Sequence, residues 1–310
     1  MKRSISTLSE EENLNKVNGI YDPKKANQKS QLRRKQSKYQ SMTIVDSPPL
    51  REYVEQELML DQSPEGIAGR IRTHEKDLPT VSKNTLYRFL HSVYGRDIEG
   101  ILQQRKGRKR WKRSKTKGQL SERTFIDDRP VEANLRSRVG DVEADFIVSG
   151  KTGHGILLVV VDRKLRVCFL ELILTVTIAE VHKAFVRIRK RFPEMQTLST
   201  DNDILLQKHK ELEKLLKLKI YFCHPYHSWE KGSVENVNKN IRRRIPKGSD
   251  LSQYSQEYIL EIEHFLNHRF MKCLEYDTPE EALKNYRKLK KNQPKNSPLE
   301  KNRVRLEGGR

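Results

Sequence analysis

Apolar positions along the chain change period near residue 138. From Pro48 the spacing is helical, with Leu50, Tyr53, Val54, Leu58 and Leu60 recurring every third or fourth residue. SPEGIAGRIR follows, where Ser63 suits an N-cap, Pro64 the first helical position and Glu65 the positive helix end. SKNTLYRFLHSVYG supplies a third start: Ser82 caps, Leu86, Phe89, Leu90 and Val93 form the stripe, and Gly95 ends the helix. Three short helices in this span predict a small all-α helix-turn-helix domain. Its third helix would present Lys83, Asn84, Thr85 and Arg88 near its N-terminus, side chains suited to reading base edges.

Beyond Arg138, strands alternate with helices. VEADFIVSG, the continuous apolar run GILLVVVD, and RVCFLELIL read as three successive strands. The helix IAEVHKAFVRIRKRF comes next, with Ile178, Val181, Phe185, Val186 and Ile188 near one side. QTLSTDN (strand), LLQKHKELEKLLKL (helix), KIYFCHP (strand) and SVENVNKNIRRRI (helix) complete the pattern. That order predicts an α/β ribonuclease-H-like domain, a mixed five-stranded sheet with flanking helices. The expected organisation is a polar basic arm over 1–47, the helical domain over 48–104 and a basic linker over 105–136. The α/β domain then runs over 137–291, and a polar tail over 292–310 is expected to be disordered.

Charge narrows the partner. Lys and Arg number 62 against 41 Asp and Glu, a formal net charge of +21. An excess of this size calls for a polyanion, and the phosphate backbone of nucleic acid is the usual one. The run Arg105–Lys117 concentrates nine basic residues with no acid, and its Trp111 is free to stack. The 3 cysteines, Cys168, Cys223 and Cys273, form no Cys-x-x-Cys pair, which argues against a disulfide framework or a cysteine zinc site and fits a reduced cytoplasm. His224 and His227 beside Cys223 offer only a weak case for zinc. No apolar run is long enough for a membrane helix, and the first residues lack the apolar core of a secretory signal.

Two-metal phosphoryl transfer needs clustered carboxylates. Strand alternation in GDVEADFIV puts Asp141, Glu143 and Asp145 on one face, and the period alone does not choose among them. Asp201 stands at the end of the strand in TLSTDND, where α/β domains gather their sites. Glu235 lies on the helix whose buried stripe is Val234, Val237, Ile241 and Ile245. It shares the opposite side with Asn238, Lys239 and Arg242.

The stretch YFCHPYHSWEKGSVENVNKNIRRRIPKGSDLS resembles the C-terminal signature of bacterial insertion-sequence transposases of the IS-thirty family. VGDVEADFIVSGK and LSTDND are similar to that family's first and second aspartate blocks, and LNHRFMKCLEYDTPEEAL to its ending. PPLREYVEQELMLDQSPEGIAGRI and VSKNTLYRFL are similar to its DNA-binding block. The likeness implies a DDE transposase, with Asp145, Asp201 and Glu235 as catalytic acids and metal ligands, Mg²⁺ or Mn²⁺ as cofactor, and 33 residues between the last two acids. It implies cleavage and strand transfer of double-stranded DNA at element ends and target, in the bacterial cytoplasm. A homodimer or higher homo-oligomer would hold two ends together.

Trp229, Lys231 and the basic residues Lys239, Arg242, Arg243 and Arg244 become expected DNA contacts. Three departures accompany the likeness. Val142-Glu143-Ala144-Asp145 replaces Trp-Glu-Gly-Asp in the first block. Asp203 stands where the family carries glycine, in a turn expected to want positive φ. The family's additional N-terminal helix-turn-helix leaves no trace in the pattern of residues 1–48. These departures support an alternative, a catalytically impaired, transposase-derived DNA-binding repressor.

Overall fold

The computed structural model describes residues 4–16, 19–39, 43–104, 123–224 and 228–292. The basic run Arg105–Lys117 and the tail from residue 293 lie outside the described residues. Helices come first: α1 (Ile5–Asn15), α2 (Pro23–Tyr39), α3 (Thr43–Asp46), α4 (Pro48–Met59), α5 (Pro64–Thr73), α6 (Lys83–Leu90) and α7 (Arg96–Gln104). A short helix, α8 (Val131–Leu135), precedes β1 (Asp141–Val148), β2 (Ile156–Asp162) and β3 (Cys168–Ile173). Alternation follows through α9 (Ile178–Arg191), β4 (Thr197–Thr200), α10 (His209–Leu216), β5 (Lys219–Phe222) and α11 (Gly232–Arg244). Two further helices, α12 (Gln256–Asn267) and α13 (Pro279–Asn292), close the described chain.

The five strands lie in the order β3-β2-β1-β4-β5. β2 pairs antiparallel with β1 and β3, whereas β4 pairs parallel with β1 and β5. This is the mixed sheet that the strand pattern predicts. Every residue of β2 is buried, as its unbroken apolar run requires. Pleating sorts side chains onto two cores. Val142 and Ala144 of β1 join Leu158 and Val160 of β2 under α9 and α10. Ile147 of β1 joins Leu157, Val159 and Val161 under α11 and α12. Asp141, Glu143 and Asp145 share the parity of Ile147, so the row of acids faces the side that α11 covers.

Sequence signals mark several helix ends. Ser63, Ser82, Thr177 and Ser255 each accept a backbone N–H from the first turn of α5, α6, α9 and α12. The predicted third helix stops earlier than its apolar spacing suggests. The Ser92 hydroxyl donates to the Phe89 carbonyl (2.6 Å) and accepts from Tyr94 N, a local alternative to another helical turn. Val93, expected in the stripe, is therefore 79% exposed, and α7 begins just past Gly95. The helix expected from Leu205 is split into a 3-10 turn (Ile204–Leu206) and α10.

The arm expected over 1–47 forms α1, capped by Ser4, and α2, whose first turn is held by Asp22. Neither has a broad apolar face, which is why the pattern does not reveal them. The second half of the expected linker is packed: Ile126 and Ala133 are buried, and Arg129 donates to Ser199 Oγ at 3.0 Å.

α3 to α6 enclose their own apolar core around Leu50, Val54, Ile67, Ile71, Leu86 and Phe89. This unit docks on the segment between α12 and α13. Gln62 donates to the His268 carbonyl (2.7 Å) and accepts from Phe270 N (3.0 Å). The Arg70 guanidinium forms a two-pronged pair with Glu281 at 2.7 and 2.8 Å and reaches the Tyr276 carbonyl at 3.2 Å. Gly69 lies against the Tyr276 ring, and a Cβ there would meet ring carbons at 2.0 to 2.2 Å. Gly69→Ala is therefore expected to lower stability by about 1–3 kcal/mol through overpacking. Urea unfolding checks this, and an unchanged midpoint would show that the junction yields freely.

Candidate active site

The acid row of β1 divides by environment. Asp141 is fully buried and satisfied by Arg138 (2.8 and 2.9 Å) and by the Thr197 hydroxyl (2.6 Å). Glu143 is also fully buried. One oxygen accepts from Arg163 at 2.7 Å, and the other accepts from Ser233 N (2.9 Å) and Val234 N (3.0 Å). The start of α11 lacks a side-chain cap of its own, so the Glu143 carboxylate serves as one from across the sheet. Burial, the largest cause, lowers the Arg163 pKa, and the charge of Glu143 opposes that shift. Asp145 differs from both: it lies at the open end of the row, its side chain 27% exposed.

Asp145 and Asp201 meet around one cation. Lys231 Nζ is 3.1 Å from Asp145 Oδ1 and 2.8 Å from Asp201 Oδ2. The lysine side chain is only 3% exposed. Burial pushes its pKa down, but the two carboxylates outweigh burial and raise it, so the ammonium stays charged. The head group of Lys231, an expected DNA contact, is turned inward here onto the two aspartates. Asn238 Nδ2 donates to Asp145 Oδ2 at 2.7 Å. Asn238 Oδ1, beside Asp145, is a buried oxygen without a hydrogen-bond partner.

Asp201 is placed by the loop after β4. Asn202 donates to the Cys223 carbonyl beyond β5 (3.1 Å), and Arg123 donates to Asn202 Oδ1. Asp203 has φ of −83° and accepts from Leu205 N at 2.9 Å. The expected left-handed turn is therefore absent: aspartate caps the following 3-10 turn and carries no backbone strain. Glu235 is half-buried on α11, three residues before Asn238 and seven before Arg242. That spacing puts it on the face that touches Asp145. The oxygens of Asp145, Asp201 and Glu235 do not all lie within 4.8 Å of one another. Lys231 holds the space between the first two.

The basic candidates fare differently. Arg243 approaches Asp61 at 3.8 Å, and the Arg244 guanidinium stacks 3.8 Å from the Phe265 ring centre, so both are engaged within the chain. Burial lowers the Arg242 pKa while Asp145 opposes it, which puts Arg242 in the field of the acids. Lys239 is exposed. Trp229 belongs to the 3-10 turn Ser228–Lys231 that leads into α11. On α6, Lys83, Asn84 and Arg88 are exposed, and Thr85 is half-buried beside the Ser82 cap.

The alternative cluster near His224 lacks a thiolate. Burial, followed by the charge of Asp201, pushes the Cys223 pKa up to about 12. His224 is paired with Glu230 and Asp127, and His227 lies outside the described residues. The sequence reading leaves open the division of labour among Asp141, Glu143 and Asp145. One signal was available: a strand with three acids on a covered face demands interior cations, and Lys231 lies near in sequence to Glu235.

Asp145 and Asp201 thus present oxygen donors around a buried positive charge, with Lys239 exposed further along α11. No protein-family model matches the chain. The transposase for insertion sequence element IS4351 of Bacteroides fragilis is 36% identical over 272 residues, covering 86% of this chain and 81% of that one. The transposase for insertion sequence element IS1086 of Cupriavidus metallidurans is 32% identical over 237 residues, covering 72% and 69%. Transposase InsI for insertion sequence element IS30A of Escherichia coli is 27% identical over 299 residues, covering 91% and 76%. The chain belongs to the insertion-sequence transposases of the IS-thirty family. Among solved structures, the catalytic core domain of BIV integrase aligns with 49% of this chain and 97% of that one at 18% identity, with a TM-score of 0.39. That overlap carries no functional argument.

The contrast between Glu143 and Asp145 is testable. Glu143→Ala strands the Arg163 charge and the α11 N-terminus, so a loss of about 3–5 kcal/mol is expected. Asp145→Asn keeps the side-chain shape and leaves Lys231 paired with Asp201, so it should cost clearly less in thermal unfolding than Glu143→Ala. Equal losses would contradict the separation of structural from site acids.

Proposed function

We propose that the chain is a DNA transposase that cleaves the ends of its element and joins them to target DNA at Asp145, Asp201 and Glu235. The observation that carries this reading is the pair of aspartates closed around one buried cation, with the free amide oxygen of Asn238 beside Asp145. A hard oxygen donor set that already holds a positive charge fits Mg²⁺ or Mn²⁺. Asp145 and Asp201 would hold the ions with Glu235 as the third ligand, and the ions would supply charge against the phosphate and acidify a water.

The chain's own groups account for the rest. Asn238 orients the Asp145 carboxylate through its amide. Lys231 keeps the two aspartates from repelling each other before the ions arrive. Lys239 and Arg242 flank the acid face of α11 and would steer the phosphate backbone. In cleavage, water oxygen attacks a phosphorus and the bond to the 3′-oxygen breaks, leaving a 3′-hydroxyl. In transfer, that hydroxyl attacks a target phosphorus and releases a target 3′-hydroxyl. One phosphodiester is exchanged for another, so no external energy source is required.

Recognition falls to α4–α6, which we read as a helix-turn-helix domain. Exposed Lys83, Asn84 and Arg88 at the start of α6 fit a major-groove surface, with Thr85 beside them. Double-stranded DNA is the partner, and two element ends call for a homodimer or higher homo-oligomer. The impaired-repressor reading loses one of its supports, since Asp203 sits in an unstrained cap. Among the described residues no helix is long and apolar enough to cross a membrane.

The test is strand transfer with labelled element ends, in Mg²⁺ and in EDTA. Asp145→Asn, Asp201→Asn and Glu235→Gln are each expected to abolish cleavage while gel-shift affinity stays near the parent's. Arg88→Ala should weaken end binding by about 1–3 kcal/mol with intact chemistry once the ends are saturated. End DNA bound by the parent yet never cut, in Mg²⁺ or Mn²⁺, would replace the enzyme reading with the repressor. A separate check is Lys231→Met. Without the ammonium the aspartates repel, so added Mg²⁺ should raise the melting temperature of this variant more than the parent's; equal shifts would deny Lys231 its stand-in role.

A further inference from the structure

A second ion-binding constellation lies away from the acid row. His264 lies in the last turn of α12 and His268, four residues on, is its C-cap residue, which brings their rings together. Glu280 projects from the first turn of α13. One ligand atom from each of the three lies within 4.8 Å of the others, and no other trio of histidine, cysteine or acid among the described residues meets that limit. Two histidines at this spacing with a carboxylate from another element form a familiar zinc donor set, with a fourth position open to water.

The hydrogen bonds around the trio supply a second, independent pointer. His268 Nδ1 lies 2.7 Å from the His264 carbonyl, which can only accept, so Nδ1 carries the proton and donates. In the neutral ring, Nε2 then bears the lone pair, and it faces Glu280 Oε2 at 2.8 Å. At that distance the two atoms share a proton, which a metal ion would displace on binding, with a small opening of the pair. A backbone carbonyl fixing the far nitrogen is also how metal-bound histidines are held in orientation. Lys284 takes the other oxygen of Glu280 at 2.7 Å, and this contact, the largest cause, lowers the Glu280 pKa and keeps the carboxylate ionised. The His264 and His268 rings lie 3.8 Å apart between centres. His264 is exposed, and the His268 and Glu280 side chains are 42% and 34% exposed, so an ion has open access.

We infer that His264, His268 and Glu280 form a site for a borderline transition metal such as Zn²⁺, which clips the end of α12 to the start of α13. Two imidazoles and one carboxylate select Zn²⁺ over Mg²⁺, the reverse of the all-oxygen acid site. The position gives the clip a consequence. The same segment receives Gln62 at the His268 carbonyl and Arg70 at Glu281, so an ion here stiffens the platform on which the N-terminal helices dock.

The experiment uses the full chain, stripped with EDTA and exchanged into excess Mg²⁺ at about pH 8. Zn²⁺ is titrated by calorimetry, and Co²⁺ is followed by visible absorption. The expected result is about one Zn²⁺ per chain, not displaced by Mg²⁺, with a nitrogen-ligated Co²⁺ spectrum and a rise in melting temperature. His264→Asn, His268→Gln and Glu280→Gln should each weaken Zn²⁺ by about tenfold or more. Their metal-free melting should match the parent's, which guards against misfolding. Asp201→Asn should leave Zn²⁺ binding unchanged. Absence of Zn²⁺ binding would overturn the assignment. So would binding that survives His268→Gln, or binding that disappears with Asp201→Asn.

Discussion

The carboxylate of Glu143, buried in β1 and shared between Arg163 and the first amides of α11, is the contact on which the rest of the site depends. A charge with no exposure is tolerated only if its lone pairs are filled, and here a helix N-terminus and a guanidinium fill them. The bond fixes where α11 starts and which way it faces. The apolar stripe Val234, Val237 and Ile241 then seals against β2, and the opposite face carries Glu235, Asn238 and Arg242 toward the open end of the acid row.

Two aspartates from separate strands converge there because β1 and β4 are parallel neighbours. Asp145 lies in mid-β1, just beyond the residues that pair with β4, and Asp201 just past the end of β4. Their mutual repulsion is held in check by Lys231, a buried cation that belongs to the chain. The same economy recurs at the junction with the N-terminal helices. There Arg70 joins Glu281 and the Tyr276 carbonyl, while Gln62 bridges both sides of the chain at His268 and Phe270. A helical unit with its own core is thereby tied to the segment between α12 and α13.

Much of this architecture is legible in the sequence where one periodicity runs unbroken. The apolar run of β2 and the alternation of β1 predict the sheet, and Ser63 and Ser82 mark their helix starts. What escapes has physical reasons. α1 and α2 bury little apolar surface, so no stripe betrays them. α6 ends at a serine whose hydroxyl competes for a backbone carbonyl, a choice that spacing does not encode. α12 carries a helical stripe at Ile259, Ile262 and Leu266 but lies beyond the motif that draws the eye. Within the site, Asp141, Glu143 and Asp145 have the same period and differ only in what lies above them. The inward turn of Lys231 depends on two partners, one of them 86 residues away.

The central claim is that Asp145, Asp201 and Glu235 are ligands of a hard divalent cation whose place Lys231 keeps. Mn²⁺ uptake by the full chain, followed by the electron paramagnetic resonance of the free ion, tests it without needing DNA or turnover. The account predicts binding by the parent that each of Asp145→Asn, Asp201→Asn and Glu235→Gln weakens by about tenfold or more. Variants that take up Mn²⁺ as tightly as the parent would contradict it.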